Sequence, residues 1–203
     1  PIYYSFFKQF NFIIFQSLDQ LYYSNSKYEG LKSKNICLKP TCNEIQINQY
    51  SKSKSPYDVN NINIVYVGTV CERKNQLFAL KIFHLLYNRY NNCNIHFVGK
   101  MEKKYFTKLK AFVRSKKIEN RIQFHGYRPD YIRYIKHADI ITLTSKSEGV
   151  SRILRESMLL KTPIIASKIS GTIEILRDGC GYLIDGFNEK NFYKAFCDLI
   201  DND

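Results

Sequence analysis

From residue 62 onward the chain repeats one unit: a short apolar run, a glycine or polar turn, then a stretch with helical spacing. INIVYV at 62–67 ends in Gly68, and Phe78, Ile82, Leu85 and Leu86 then recur at helical intervals through 75–90. The unit returns as strands at 95–98, 121–125, 139–144, 163–166 and 181–184. Helices are predicted over 103–117, 130–138, 151–160, 171–177 and 188–200, the first of these with Phe106, Leu109 and Val113 on one face. Strands this short and continuously apolar are buried on both faces, which requires helices above and below a parallel sheet. The fold class is therefore α/β, a doubly wound, Rossmann-like parallel sheet. In such sheets ligands bind beyond the carboxyl ends of the strands. That directs attention to 68–74, 99–104, 126–130, 145–151 and 168–171.

The polar stretch 52–63 reads as a linker and divides the chain into 1–60 and 61–203. In the first part, strands at 12–16 and 36–38 around a helix at 18–31 would make a β–α–β remnant of a second Rossmann-like domain. The chain begins with Pro1 and stops at Asp203 directly after a predicted helix, so a fragment of a longer protein is expected.

Hydrophobic residues at 44% supply enough apolar mass for a core, which excludes disorder as the main state. No run approaches 18 apolar residues and no signal-peptide pattern opens the chain, so a cytoplasmic location is expected. The six cysteines form no C-x-x-C pair and the four histidines are scattered, so reduced thiols and no metal site are expected. The formal charge of +13 is uneven: residues 100–136 carry twelve Lys and Arg against three Asp and Glu. Such a face can meet nucleic acid, anionic lipid or a phosphorylated ligand, or simply be a solvated lysine-rich helix.

Three loops can carry chemistry. In Gly68-Thr69-Val70-Cys71-Glu72-Arg73-Lys74 a glycine permits close backbone approach, and two cations precede a helix start. The free amides and partial positive charge of a helix start suit a diphosphate. The same loop also reads as a surface turn with two solvated cations. In the second loop Glu148 precedes Gly149, Val150 and Ser151, with Ser151 placed to cap the next helix and Glu156 further along it. Two carboxylates so placed can grip two ends of a polyhydroxylated ligand. Alternatively, Glu148 is a helix-start acid and Glu156 a surface residue. In the third loop Gly126 and Tyr127 can line a nucleobase, whereas His125, His84 and His96 read as structural.

The stretch 148–185 resembles the carboxyl-terminal domain of the group-four family of retaining glycosyltransferases of GT-B fold. The resemblance rests on Glu148 and Glu156 with seven residues between them, then Thr162-Pro163-Ile164-Ile165-Ala166, Gly171 to Glu174, and Asp178-Gly179-Cys180-Gly181. Val67-Gly68 with Arg73-Lys74, Val98-Gly99 and His125-Gly126-Tyr127 fit the family's earlier loops, so the likeness covers about 62–201. It implies a nucleotide-sugar donor. Glu148 would contact the donor sugar, Gly149, Val150 and Ser151 would hold sugar and diphosphate, and Lys74 with Arg73 would balance the diphosphate charge. Glu156 would hold the ribose hydroxyls, and Gly68 and Tyr127 would complete the pocket. Two positions depart from the family pattern: Thr69 stands where many members carry Arg, and Ser170-Gly171 replaces Gly-Gly.

The resemblance further implies no bound metal or cofactor and an acceptor, carbohydrate or lipid-linked, held by an absent amino-terminal domain. The isolated chain would then bind donor and transfer poorly, in surface polysaccharide or glycolipid synthesis, in places at the inner membrane face. The competing readings are a nucleotide-sugar epimerase of the same fold and a basic nucleic-acid-binding module. The second lacks a recognisable nucleic-acid motif, so no nucleic-acid partner is expected.

Overall fold

The computed structural model describes residues 13–15, 18–27, 35–37, 49–50, 53–176 and 179–202. Near the start, β1 (Ile13–Phe15) and β2 (Asn35–Cys37) pair in parallel with helix α1 (Leu18–Lys27) between them in sequence, the β–α–β order expected there. The outer residues of those three predicted elements lie outside the described residues.

The main sheet comprises β3 (Ile62–Val67), β4 (Cys93–Val98), β5 (Ile122–Gly126), β6 (Ile140–Leu143), β7 (Ile164–Ser167) and β8 (Tyr182–Ile184). Its spatial order is β5-β4-β3-β6-β7-β8, and every pairing is parallel. Between the strands run α2 (Gln76–Arg89), α3 (Lys103–Lys116), α4 (Tyr131–Lys136), α5 (Arg152–Leu159) and α6 (Ser170–Ile173). Helix α7 (Glu189–Asp201) follows β8. The chain winds outward from β3 through β4 to β5, then returns to the other side of β3 as β6. The loops after β3 and β6 therefore leave the sheet in opposite directions, and a crevice opens between them.

The core explains why these segments take these conformations. Ile64, Val65 and Tyr66 of β3 and Ile95 and Phe97 of β4 are fully buried, as are Leu80, Phe83 and Leu86 of α2 and Phe192 of α7. Removing that apolar area from water is the main term favouring the fold. The faces differ from the expected ones at two helices. Leu85 is exposed on α2 while Ala79, Leu80 and Phe83 are buried. On α3 the buried stripe is Tyr105, Leu109 and Val113, a spacing of four, and Phe106 sits beside it against Phe124 at 4.9 Å. The lysines of α3 point to solvent. Burial on both faces holds for β4, β6 and β7 and nearly all of β3, but β5 and β8 keep partly exposed residues, since a margin strand has a neighbour on one side only.

The linker stretch docks on this core. The Tyr57 hydroxyl donates to the Tyr134 carbonyl at 2.8 Å, and its ring lies 4.4 Å from that of His96. The predicted helix over 171–177 ends at Ile173, and residues 177–178 lie outside the described residues. Asn188 caps α7, its Oδ1 accepting from the amides of Lys190 and Asn191 at 3.0 and 3.2 Å. Asn188→Ala should cost about 1 kcal/mol, a fall of ~2–4 °C in Tm for a chain of this size, measurable by calorimetry.

Candidate active site

The site is built where β3 and β4 end. Gly68 and Gly99 close these strands at φ +151° and +152°, in the region that favours glycine. A Cβ on Gly99 would stand 2.1 Å from the Gly68 carbonyl oxygen, so the two backbones approach as closely as they do only because no side chain intervenes. The ladder continues beyond the strands, with Val70 N donating to Lys100 O at 2.7 Å and Glu102 N to Val70 O at 3.0 Å. Fully buried Gln76 shapes the loop: its Nε2 donates to Thr69 O at 2.9 Å and its Oε1 accepts from Cys71 N at 3.3 Å.

That loop delivers Lys74. The Tyr66 hydroxyl, buried under the sheet, donates to the Lys74 carbonyl at 2.6 Å and lies 3.2 Å from Ser145 Oγ. Burial holds the Tyr66 phenol above its ordinary pKa, so it stays a neutral donor. The Lys74 ammonium pairs with Glu148 Oε1, and Ser145 Oγ donates to that same oxygen at 2.6 Å. Arg73 Nη1 donates to Ser147 O at 2.7 Å and stands 3.4 Å from Glu148 Oε2. The Lys74 and Glu148 side chains are only 13% and 8% exposed, whereas Arg73 is 52% exposed. Burial makes the Lys74–Glu148 pair the strong one and the Arg73 contact a screened accessory. Lys146 N donates to Arg73 O at 2.9 Å, joining the β6 loop to the β3 loop. Below them, a Cβ on Gly171 would fall 1.6 Å from Gly149 O and 2.7 Å from Glu148 O, so the start of α6 is the floor of the loop carrying Glu148.

Glu156 is 1% exposed, which rules out its reading as a surface residue. The Tyr131 hydroxyl donates to its Oε1 at 2.8 Å, and Oε2 is buried with no hydrogen-bond partner among the described residues. Burial raises the Glu156 pKa, and the Tyr131 bond and the charge of Arg152 oppose that rise.

A cavity of about 440 Å³ opens above these groups. Gly68, Lys74, Tyr127, Glu148, Val150 and Ser151, all expected from the sequence, line it. Arg73, Gly149 and Glu156 are not among its lining residues. Ser151 occupies the N-cap position of α5, but its side chain makes no capping hydrogen bond, contrary to expectation; the serine is instead buried at the cavity wall. Tyr127 is 67% exposed at the mouth, with the Lys100 ammonium 5.6 Å from its ring centroid. His125 is structural, its Nε2 3.1 Å from His96 Nδ1, and burial pushes the His96 pKa down to about 3.

Sequence reasoning missed Lys100, Arg128, Tyr131 and Arg152, which also line the cavity. The strand-end rule points to the loops of the first two but does not say which side chain turns inward. Tyr131 left no signal, because its partner Glu156 lies 25 residues away. Four cations, Lys74, Lys100, Arg128 and Arg152, thus face the cavity against one lining carboxylate, Glu148. That balance suits a dianionic or trianionic ligand whose other end carries hydroxyls. Among the described residues no group of three or more His, Cys, Asp or Glu is placed to hold a metal ion.

A doubly wound parallel sheet with a cationic cavity at its reversal point has the architecture of one half of a GT-B glycosyltransferase. The chain belongs to the glycosyl transferases group 1 family, whose sequence model matches residues 48–203. It is similar to an uncharacterised glycosyltransferase of Methanocaldococcus jannaschii, at 25% identity over 178 residues, 84% of this chain and 43% of that protein. It is also similar to the capsular polysaccharide biosynthesis glycosyltransferase CapH of Staphylococcus aureus, at 26% identity over 59% of this chain and 36% of that one. Among solved structures, Anabaena HepE in complex with UDP-glucose superposes with a TM-score of 0.80 at 20% identity, over 95% of this chain and 54% of the other. The chain spans less than half the length of those two curated relatives. Among the described residues no helix is long and apolar enough to cross a membrane.

Proposed function

We propose that the cavity binds a nucleotide-sugar and that residues 61–203 supply the donor half of a retaining glycosyltransferase, 1–60 being the end of an acceptor-binding domain. The observation that carries this reading is the pairing of a largely buried lysine with a largely buried glutamate where the β3 and β6 loops meet, in a cavity lined by three further cations. Lys74, aided by Arg73, would take the diphosphate, and its release from Glu148 would free that carboxylate for the donor sugar's hydroxyls. The loop 149–151, with its backbone amides, would hold the diphosphate and sugar. Glu156 would take the ribose and Tyr127 would cover the base. When the bond between the sugar's anomeric carbon and the diphosphate oxygen breaks, negative charge grows on the leaving group. Fixed cations stabilise it there without a metal ion.

The bound UDP-glucose of HepE supports a uridine donor, and the capsular role in CapH's name supports surface polysaccharide synthesis, with a carbohydrate or lipid-linked acceptor. The enzyme would work in the cytoplasm. The outward lysines of α3, Lys103, Lys104, Lys108 and Lys110, would suit contact with an anionic membrane at its inner face.

A thermal-shift panel of UDP, GDP, ADP and their sugars tests the reading. One nucleotide series should stabilise the chain, by about 2.7 kcal/mol at a hundredfold excess over Kd. No shift by any nucleotide at millimolar concentration would overturn it.

A further inference from the structure

We propose that Tyr131 is a positioning residue: its hydroxyl holds Glu156 as an acceptor for the donor's vicinal ribose hydroxyls and so sets a preference for ribonucleotides over 2′-deoxyribonucleotides. The proposal rests on the donor reading above and deepens it.

Glu156 is a nearly fully buried carboxylate whose one hydrogen bond among the described residues comes from Tyr131. A carboxylate has about four acceptor positions, and among the described residues Oε2 is buried without a partner. An unpaired buried acceptor is costly, and native proteins keep few of them. The arrangement is completed by a ligand that brings hydroxyl donors, and a vicinal diol brings two at the spacing of a carboxylate's oxygens. The two side chains that act on Glu156, Tyr131 from α4 and Arg152 from one turn earlier on α5, both line the cavity. The carboxylate therefore lies one side chain behind the cavity wall.

Tyr131 does two things there. It ties α4 to α5 at 2.8 Å, fixing the rotation of the carboxylate. It also opposes, together with Arg152, the effect of burial on the Glu156 pKa, and so favours the ionised form that accepts from both hydroxyls. A group whose folded pKa is raised loses its charge as pH falls through that value. Removing the Tyr131 bond raises the value further, so ligand binding should fail at a higher pH.

The test is titration calorimetry of the 203-residue chain, wild type and Tyr131→Phe, with UDP and with 2′-deoxy-UDP between pH 5.5 and 8. Wild type should prefer UDP about tenfold, the scale of one hydrogen bond to a charged group. Tyr131→Phe keeps the ring, and 2′-deoxy-UDP retains only the 3′ hydroxyl as a donor to Glu156, so the variant's affinity for that ligand should fall, but by clearly less than its affinity for UDP. Its affinity for UDP should fall until the preference largely disappears, and the pH at which UDP binding is lost should rise. Equal losses for both ligands would mean a merely structural role, and a wild-type ratio with a wild-type pH profile would mean no role; either overturns the proposal while the donor reading stands. Binding of no nucleotide by the wild type would overturn the donor reading itself.

Discussion

Lys74→Ala should lower the melting temperature by ~4–8 °C and weaken nucleotide-diphosphate binding by about 10–100-fold. The stability loss comes from the partner left behind. Glu148 is 8% exposed, and without Lys74 its carboxylate keeps the Ser145 hydroxyl and the half-exposed Arg73. Breaking a fully buried pair from one side costs about 3–5 kcal/mol; partial exposure and the two remaining contacts reduce that here to about 2 kcal/mol. Removing both charges, as in Lys74→Met with Glu148→Gln, should restore most of the stability and none of the binding. A double-mutant cycle on melting temperature measures this directly. Strictly additive single effects would show that the pair is not coupled.

Gly171→Ala should be more damaging still, at about 3 kcal/mol or more, with loss of nucleotide binding. The new methyl group would sit 1.6 Å from Gly149 O and 2.7 Å from Glu148 O. Both contacts are backbone atoms, so no side chain can swing aside, and either α6 or the loop carrying Glu148 must move. Gly126→Ala is the control: nothing lies within 4 Å of a Cβ there, and its φ of +70° adds only a left-handed strain of about 1–2 kcal/mol. Chemical denaturation of both variants gives the comparison. A Gly171→Ala protein of wild-type stability that still binds nucleotide would mean that α6 does not support the loop.

The sheet was readable because burial on both faces imposes a local pattern. INIVYV can satisfy its side chains only in a strand covered on both faces, and the helical intervals after it supply the cover. The strand order, and with it the crevice between β3 and β6, emerges only in the structure: the alternation of elements marks which loops follow strands but not which of those loops adjoin. Helix faces were harder. Leu85 and Phe106 carry the right chemistry for a core, but a neighbour one position away wins the buried side, and periodicity does not resolve a rotation of one residue. The site was legible where it is contiguous. Gly68 with Lys74, and Glu148 with the loop to Ser151, are single loops whose composition announces them. The Lys74–Glu148 pair itself, the Tyr66–Ser145 support and the Tyr131–Glu156 bond join residues 25 to 79 positions apart. Only tertiary structure creates these contacts, so no local spacing encodes them.

The cavity beyond β3 and β6 is the proposed donor site. Hydrogen exchange of the chain, with and without saturating UDP-glucose, addresses it most directly, since amide protection reports where a ligand seats and which loops it orders. Protection should rise at 68–74, 99–100, 127–131 and 148–152 and leave α3 and the β8–α7 edge unchanged. Protection confined to α3, or none at any of the four loops while the nucleotide is bound, would contradict it.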